Sequence, residues 1–256
     1  MAATYLQLTN ELIRELNEVS LTSSTFSAAT GVQQHVKDCV NRAYLDIVNE
    51  EPQWPFLSVA DSGTTDPFYG NVYVETVAGT RWYELKPSSD SLVNDYGYID
   101  WDNLYITTIG VSGATEPYTS RNLRYITIEE FKDFYRAREN NDDATSQNGG
   151  EPRRVFKSPD NRKFGLSPIP DDVYRVWFFA YNLPTELSAF SDEIVFPNIY
   201  KPVLLARARY YIHQFKENSQ AAAFALEDYR RGLKLMKSNL MEPAPDYIKD
   251  DRIRFV

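Results

Sequence analysis

The sequence predicts an α+β protein in which a helical bundle, formed by both ends of the chain, carries an inserted and mainly antiparallel β domain. Apolar residues recur at steps of three and four near both termini, which is the spacing of one face of an amphipathic α-helix. The middle of the chain changes to short runs of β-branched and aromatic residues bounded by turn residues. We therefore divide the chain into N-terminal helices (1–51), a β-rich insertion (52–196), a C-terminal helical hairpin (197–240) and an extended C-terminal arm (241–256).

Residues 197–238 predict the closing helical hairpin. Asn218 and Ser219 can end one helix and cap the next, because their side-chain oxygens accept hydrogen bonds from free backbone N–H groups. A connection this short makes the two helices antiparallel neighbours. The apolar stripe of the first helix comprises Tyr200, Val203, Leu204, Ala208, Tyr211, Ile212 and Phe215, and that of the second comprises Ala222, Leu226, Tyr229, Leu233 and Met236.

Two further amphipathic helices open the chain. The first runs over about residues 4–19, with Val19 as the last member of its apolar stripe. The second covers residues 32–47 and ends before Pro52, and the Thr30 and Gln33 side chains have the spacing of a capping box at its start. The four apolar stripes can cover one another as a small bundle, which makes the segment between them an insertion.

The insertion has the period of β-structure. Residues 72–77 and 81–85 predict a hairpin around Gly79, residues 104–111 predict another strand, and residues 154–157 and 163–166 predict two strands around a turn. Residues 174–181 form the strongest predicted strand, and its continuous apolar character indicates cover on both faces. Thr127 and Glu130 form a second capping-box pattern, opening a short helix whose apolar face comprises Phe131, Phe134 and Tyr135. The polar stretch 139–152 is predicted to be a loop.

Composition narrows the class of protein. The 256 residues carry a formal net charge of -9, which counts against a free-standing nucleic-acid binder, since such proteins are normally basic. Cys39 is the single cysteine, so no intrachain disulfide can form, and we expect it to be a small buried hydrophobe in a protein made in a reducing cytoplasm. No apolar run approaches the roughly 20 residues of a membrane helix, and the N-terminus lacks the layout of a signal peptide.

Residues for chemistry are sparse. His35 and His213 each lie on a predicted helix without a second histidine or cysteine at ligand spacing, and neither a nucleophile elbow nor a glycine-rich phosphate loop is present. The carboxylate pairs at 142–143, 171–172 and 250–251 lie in turn sequences, where solvated carboxylates are the ordinary interpretation. We therefore predict no catalytic residues, no cofactor and no metal site, and not an enzyme.

Two surfaces are candidates for binding other proteins. The C-terminal segment alternates like a strand after two prolines, and two interpretations stay open: a frayed end, or a peptide arm that adds to another subunit's sheet or groove. The predicted arm residues are Tyr247, Ile248, Arg252, Ile253, Arg254, Phe255 and Val256. On the last helix, the side that the bundle leaves uncovered is a candidate contact with another subunit or with a partner protein, with residues Phe224, Arg230, Arg231, Lys234 and Leu235. Its basic residues also complement the helix dipole.

The order and spacing of several segments resemble those of one known family. The segments are residues 4–8, 51–57, 77–85, 166–171 with 174–184, and 196–200 followed by Ala-Arg-Ala-Arg-Tyr-Tyr. Together they cover nearly the whole chain and resemble the head-to-tail adaptor (connector) proteins of tailed bacteriophages, the ring proteins beneath the portal. The acidic stretch 140–150 and the length of the β insertion depart from the smallest members of that family.

The resemblance implies a structural virion protein at the neck, between head and tail. It implies a homo-oligomeric ring of twelve copies, an arm that embraces the portal protein, contacts with tail nozzle or fibre proteins, and genomic DNA that passes through the ring without sequence-specific binding. An acidic chain suits such a channel, because basic groups would bind the phosphates. A tail-associated receptor- or carbohydrate-binding protein and a two-carboxylate glycosidase are the alternatives. Helical hairpins at both ends favour the adaptor, since receptor binders are usually β throughout.

Overall fold

The structure is a computed structural model and describes residues 2–59, 70–85, 96–108, 120–136, 149–159 and 163–241. It confirms the α+β class, with helices near both ends of the sequence and strands between them. The chain divides into two compact units. Unit 1 contains residues 1–56 and 185–256, and unit 2 contains residues 57–184.

Unit 1 is built on four α-helices. They are α1 (Tyr5–Glu15), α2 (Gly31–Asn49), α4 (Lys201–Phe215) and α5 (Ser219–Leu240), whereas α3 (Ile128–Glu130) belongs to unit 2. Helix α4 packs against α1, α2 and α5. The predicted apolar stripes form the core, in which Leu8, Val40, Ile47, Leu204 and Met236 are completely buried. Burial of these stripes supplies most of the stability of such a bundle.

The first helix is shorter than predicted. It ends at Glu15, and Asn17 follows with a positive φ of 57°, so the chain turns away before Val19. Val19 was predicted to lie in the apolar stripe, and that prediction is wrong, because its side chain is 77% exposed. The helix begins with a capping box that the sequence analysis did not identify. There the Thr4 hydroxyl accepts from the Gln7 N–H at 3.3 Å and the Gln7 side chain accepts from the Thr4 N–H at 3.1 Å.

The capping box predicted at Thr30 is wrong. The Thr30 side chain makes no capping hydrogen bond, although Thr30 does stand at the N-cap of α2. The Gln33 amide instead donates to the carbonyl of Val19 at 2.8 Å and so holds the connection between α1 and α2. Because the Gln33 side chain is bonded to Val19, it does not complete a capping box with Thr30.

The closing hairpin forms as predicted. Helices α4 and α5 pack together, and the Asn218 side chain accepts from the Ala221 N–H at 3.1 Å at the start of α5. Two stripe residues differ from expectation. Phe215 is 63% exposed at the last position of α4, where its ring packs against His35 with centroids 4.1 Å apart, and Leu226 is only half-buried.

Charged side chains join α4 and α5 to the opening helices. Their nitrogen and oxygen atoms lie within salt-bridge distance in four pairs, Lys201–Glu11, Arg209–Glu15, Arg207–Asp46 and Lys237–Glu50. Partly exposed pairs of this kind contribute roughly 0.2–1 kcal/mol each, so they select the helix orientation more than they stabilise the bundle.

Unit 2 contains two four-stranded sheets in its described part. The strands are β1 (Val72–Glu75), β2 (Trp82–Glu84), β3 (Tyr96–Thr108), β4 (Ser120–Asn122), β5 (Arg124–Tyr125), β6 (Arg154–Lys157), β7 (Lys163–Ser167) and β8 (Tyr174–Asn182). One sheet has the order β1-β8-β3-β4 and the other β2-β7-β6-β5. Every pairing is antiparallel except β5 with β6. The predicted pair β6 and β7 is confirmed.

The predicted hairpin of residues 72–77 with 81–85 is wrong. A turn does form, with the Thr80 N–H donating to the Val77 carbonyl at 3.0 Å and Gly79 at a φ of 78°. The two strands then enter different sheets, because β1 pairs with β8 and β2 pairs with β7. Strand β8 has β1 on one edge and β3 on the other, so both of its edges are hydrogen-bonded.

The core of unit 2 includes residues of both sheets. Val176 and Phe178 on β8 are buried together with Leu104 on β3 and with Phe164 and Leu166 on β7. On the opposite face of β8, Trp177 is only 6% exposed and donates to the Thr107 hydroxyl at 2.8 Å. The other residues of that face, Arg175, Phe179 and Tyr181, are only half-buried, so the predicted cover on both faces of β8 is complete on one face and partial on the other.

The short helix after Thr127 is only partly as predicted. The Thr127 hydroxyl caps it by accepting from the Glu130 N–H at 3.1 Å, but the α-helix has three residues and continues as a π-helical turn, Phe131–Tyr135. Phe131 is buried and stacks on Phe156 at 4.2 Å. Phe134, predicted on the apolar face, is 64% exposed, since a π-turn rotates it away from the stripe.

Candidate interaction surface

Four of the residues considered for chemistry, His35, Cys39, Asp171 and Asp172, have structural partners. The Sγ atom of Cys39 lies 3.4 Å from Nε2 of His35, and burial raises the pKa of the Cys39 thiol to about 11. The Asp171 carboxylate accepts from the Tyr174 hydroxyl at 2.7 Å, and the Asp172 carboxylate accepts from the N–H of Val173 at 2.7 Å. Both acids thus shape the turn before β8. The other two carboxylate pairs, 142–143 and 250–251, lie outside the described residues.

The described ranges of the chain contain neither a metal-binding cluster nor a membrane-spanning helix. Within those ranges, no cluster of three or more histidine, cysteine, aspartate or glutamate side chains could hold a metal ion. No helix in the same ranges is long and apolar enough to span a bilayer. The surface of unit 1, by contrast, carries exposed large apolar side chains.

Helix α5 has two chemically different sides. Its buried side packs Tyr229, Leu233 and Met236 into the bundle. On the opposite side, Phe224 is 61% exposed and Leu235 is 59% exposed. The helical repeat brings Leu235 to within about 20° of the direction of Phe224, because just over three turns separate them. Large apolar side chains thus lie where an amphipathic helix normally carries polar ones.

Basic residues complete this surface, which we call the outer face of α5. Arg231 lies between the two apolar residues, and Arg230 and Lys234 flank them, all exposed. Glu227 pairs with Arg231 at 3.1 Å across one helical turn, which leaves both groups in water and adds little energy. The structure therefore exposes all five predicted contact residues on α5, Phe224, Arg230, Arg231, Lys234 and Leu235. Arg231 points in nearly the same direction as the two apolar residues, whereas Arg230 lies more than 100° around the helix from both.

The buried side holds α5 firmly against α4. A Cβ atom added at Gly232 would lie 2.8 Å from Cγ2 of Val203, so the two helices approach closely there. One turn earlier, the Arg207 guanidinium of α4 lies 4.9 Å from the ring centroid of Tyr229. Its Nε donates to the Asp46 carboxylate at 2.7 Å. Burial alone lowers the pKa of Arg207, but the hydrogen bond and charge of Asp46 raise it above its ordinary value.

A second exposed apolar surface lies just before α4, and the sequence analysis missed it. We call residues 186–199 the clasp segment, because it is hydrogen-bonded to the N-terminus. The Tyr5 N–H donates to the Asp192 carbonyl at 2.7 Å, and the Ile194 N–H donates to the Ala3 carbonyl at 3.2 Å. Its exposed apolar side chains are Phe190 (42%), Val195 (45%) and Ile199 (76%).

An open cavity of about 460 Å³ adjoins the clasp segment. Ala2, Phe56, Val195 and Asn198 are among the residues that line it. The signal for this surface was present in the sequence as alternation, since Ile194 and Phe196 are buried while Val195 is exposed. Alternation in a short loop is indistinguishable from that of an ordinary strand until the partner of the loop is known.

The sequence of the chain matches one known protein family over nearly its whole length. The model of one family, described as SU10 adaptor protein, matches residues 3–248. The chain belongs to the SU10 adaptor protein family. This is a bacteriophage adaptor family, so the protein is a structural adaptor of a phage virion, and the resemblance seen in the sequence is confirmed to that extent. No curated protein matches the chain.

The predicted arm of this SU10-family adaptor lies outside the described residues. This applies to all seven residues, Tyr247, Ile248, Arg252, Ile253, Arg254, Phe255 and Val256. The last described residue, Met241, has left the helix, with φ of -102° and ψ of 138°.

Several aromatic rings of unit 2 in the adaptor pack against side chains of the same chain. Trp82 is 37% exposed, yet its ring packs edge-on against Phe156 at 5.1 Å. The Lys157 ammonium lies 4.5 Å from the centroid of Trp101 and 5.7 Å from that of Tyr125, and burial lowers the pKa of Lys157. A sugar would have to displace this ammonium to stack on Trp101.

Proposed function

We propose that this adaptor acts at the head-to-tail junction, where twelve copies form a ring that joins the portal protein to the tail. The observation that carries the proposal is the outer face of α5, where Phe224 and Leu235 are exposed beside three basic residues on a helix that is firmly held from behind. Exposed large apolar residues on a rigid helix are typical of a protein–protein contact. Membership of a phage adaptor family says that the partners are virion proteins.

The proposed arm is residues 241–256. It begins where α5 ends, so the same helix would carry a subunit contact along its length and direct the arm from its end. Apolar residues alternate with charged ones in 252–256, and this pattern suits a peptide that adds to a groove or to a sheet edge of the portal. The β-rich unit 2 would then provide the contacts with nozzle or fibre proteins of the tail.

The ring would also line the channel for DNA. A formal net charge of -9 repels the phosphate backbone, so DNA would pass without the counterion release that makes basic proteins bind it. The protein would carry out no reaction there. Its work would be to hold a continuous passage at the neck of the virion.

The test is assembly on purified portal rings. We expect the adaptor alone to be a monomer or a loose oligomer, and we expect a ring to form when portal is added, seen as extra density at the narrow end of the portal in electron micrographs. Deleting residues 246–256 should abolish co-sedimentation with portal and leave the far-UV circular dichroism unchanged.

A full-length variant shows whether portal binding depends on the apolar side chains of the arm or only on the length of the arm. Replacing Ile253 and Phe255 by serine keeps the length and the charge of the segment, and this variant should bind portal more weakly than the wild type. Undiminished binding of the deletion variant would show that the segment is not the portal arm. Absence of any ring on portal with the wild type would contradict the proposed function itself.

A further inference from the structure

We infer that the contact between neighbouring copies joins the outer face of α5 in one copy to the clasp segment of the next. This inference rests on the proposed ring and specifies which surfaces close it. The occupant of each surface is therefore a second copy of this chain. The portal would be bound by other parts of the protein.

Symmetry requires two different surfaces. In a ring closed by one repeated contact, each copy gives one surface to the neighbour on its left and another to the neighbour on its right. A single self-complementary patch produces a dimer and stops. The outer face of α5 and the clasp segment are different surfaces of unit 1, and each carries large exposed apolar side chains.

Charge favours the pairing of these two. Residues 186–199 contain three acidic residues, Glu186, Asp192 and Glu193, and no lysine or arginine. On the outer face of α5, the three exposed cations Arg230, Arg231 and Lys234 outnumber the two exposed acids Glu227 and Asp228, so this face is positive by one charge and of the opposite sign. Complementary charge selects the partner and its orientation, while the apolar residues supply the affinity.

The Asp192 carboxylate is held in its charged form. It accepts from the backbone N–H groups of Ser188 and Ala189, each at 2.7 Å. These hydrogen bonds lower the pKa of Asp192. The negative charge of the clasp segment is thus fixed by its own backbone.

Both surfaces are also rigid before they meet. The clasp segment is held by backbone hydrogen bonds to the N-terminus, and the Asn198 side chain accepts from the Ala3 N–H at 2.8 Å. The outer face of α5 belongs to a helix packed against α4. Preformed surfaces lose little conformational entropy on binding. The cavity of about 460 Å³ beside Val195 can receive a large side chain such as Phe224.

A third apolar site in unit 1 provides a matched control. Phe215 is 63% exposed, close to the 61% of Phe224. It lies at the end of α4 and packs against His35, and it belongs to neither proposed surface. Substitutions at Phe215 therefore control for the loss of an exposed aromatic ring in the same unit.

Cysteine cross-linking on portal rings tests the pairing directly. Copies carrying Leu235→Cys and copies carrying Ile199→Cys, with different tags, are mixed on portal and treated with a short bismaleimide. We expect a covalent pair that contains both tags and no covalent pair from either variant alone. The wild type reports the background from Cys39, which is 4% exposed.

Three outcomes would overturn the inference. Leu235→Cys copies could link to one another, which would indicate a self-complementary α5 contact. They could link to portal instead of to a second copy. Copies with Phe215→Cys could link to Leu235→Cys copies as efficiently as Ile199→Cys copies do, which would show random proximity.

A charge exchange gives an independent measurement. Glu193→Arg and Arg231→Glu should each weaken ring formation on portal by about tenfold, because each places like charges in contact. Both changes in one chain should restore assembly to within about threefold of the wild type. A double variant no better than the single ones would refute the pairing, and matching circular dichroism confirms that each variant folds. If the wild type forms rings but these tests fail, only the pairing is wrong.

Discussion

Met236 and Leu235 are consecutive residues of α5 whose side chains point about 100° apart, one into the core and one into solvent. We therefore expect different losses of stability when each is replaced by alanine. Met236 is 0% exposed, whereas Leu235 is 59% exposed. Leucine and methionine have nearly equal helix propensities, so the two substitutions differ mainly in packing. Met236→Ala removes a fully buried side chain and leaves a cavity, at a cost of about 2–4 kcal/mol in the free energy of unfolding. Leu235→Ala should change that free energy by about 0.5 kcal/mol or less.

Urea denaturation followed by far-UV circular dichroism measures both changes. The longest helices of the described chain belong to unit 1, so the loss of the helical signal reports mainly on that unit. The dependence of the free energy of unfolding on urea concentration should be the same in both variants as in the wild type. The urea concentration at the midpoint of unfolding should fall only for Met236→Ala. Equal losses, or a larger loss for Leu235→Ala, would mean that α5 packs through another side and would remove the basis for its outer face. Leu235→Ala should instead weaken the ring on portal.

Two further substitutions test the units separately. Burial raises the pKa of Tyr229 from 10.0 to about 12, so the hydroxyl ionises at lower pH in the unfolded chain than in the folded one. Its contribution to the free energy of unfolding is therefore complete below pH 10 and is lost as the pH rises from about 10 to 12. The urea midpoint of Tyr229→Phe should therefore fall less than that of the wild type over this range, and parallel curves would contradict the burial of this hydroxyl. In unit 2, a Cβ atom at Gly165 would overlap the ring of Phe156, so Gly165→Ala should lower the free energy of unfolding by about 1–3 kcal/mol, measured by a thermal melt. Gly150→Ala, whose Cβ meets nothing closer than 3.6 Å, should melt like the wild type, and equal effects at both sites would refute the packing described.

Periodicity in the sequence was sufficient to predict the helices of unit 1. A stripe such as that of α5 depends on the helix alone, and four of its five predicted residues, Ala222, Tyr229, Leu233 and Met236, are buried. The fifth, Leu226, lies at the margin of the stripe and is half-buried. The same pattern left Phe224 and Leu235 on the uncovered side, and the structure exposes both.

Strand pairing was not predictable in the same way. Val72 pairs with Phe178 in the register of β1 and β8, across more than a hundred residues of sequence. The local turn at Gly79 favoured a hairpin, but a turn fixes only the direction of the chain and leaves the choice of partner to packing. The clasp segment was missed for a related reason, because its partner is the N-terminus at the other end of the sequence.

The central claim is that this SU10-family adaptor forms a ring on the portal, and cryo-electron microscopy of the two proteins mixed together tests it most directly. We predict a ring of adaptor density at the narrow end of the portal, with α5 of each copy against the clasp segment of its neighbour. We also predict that this density is lost when residues 246–256 are deleted. Portal particles without added density, in the presence of excess folded wild-type adaptor, would contradict the account.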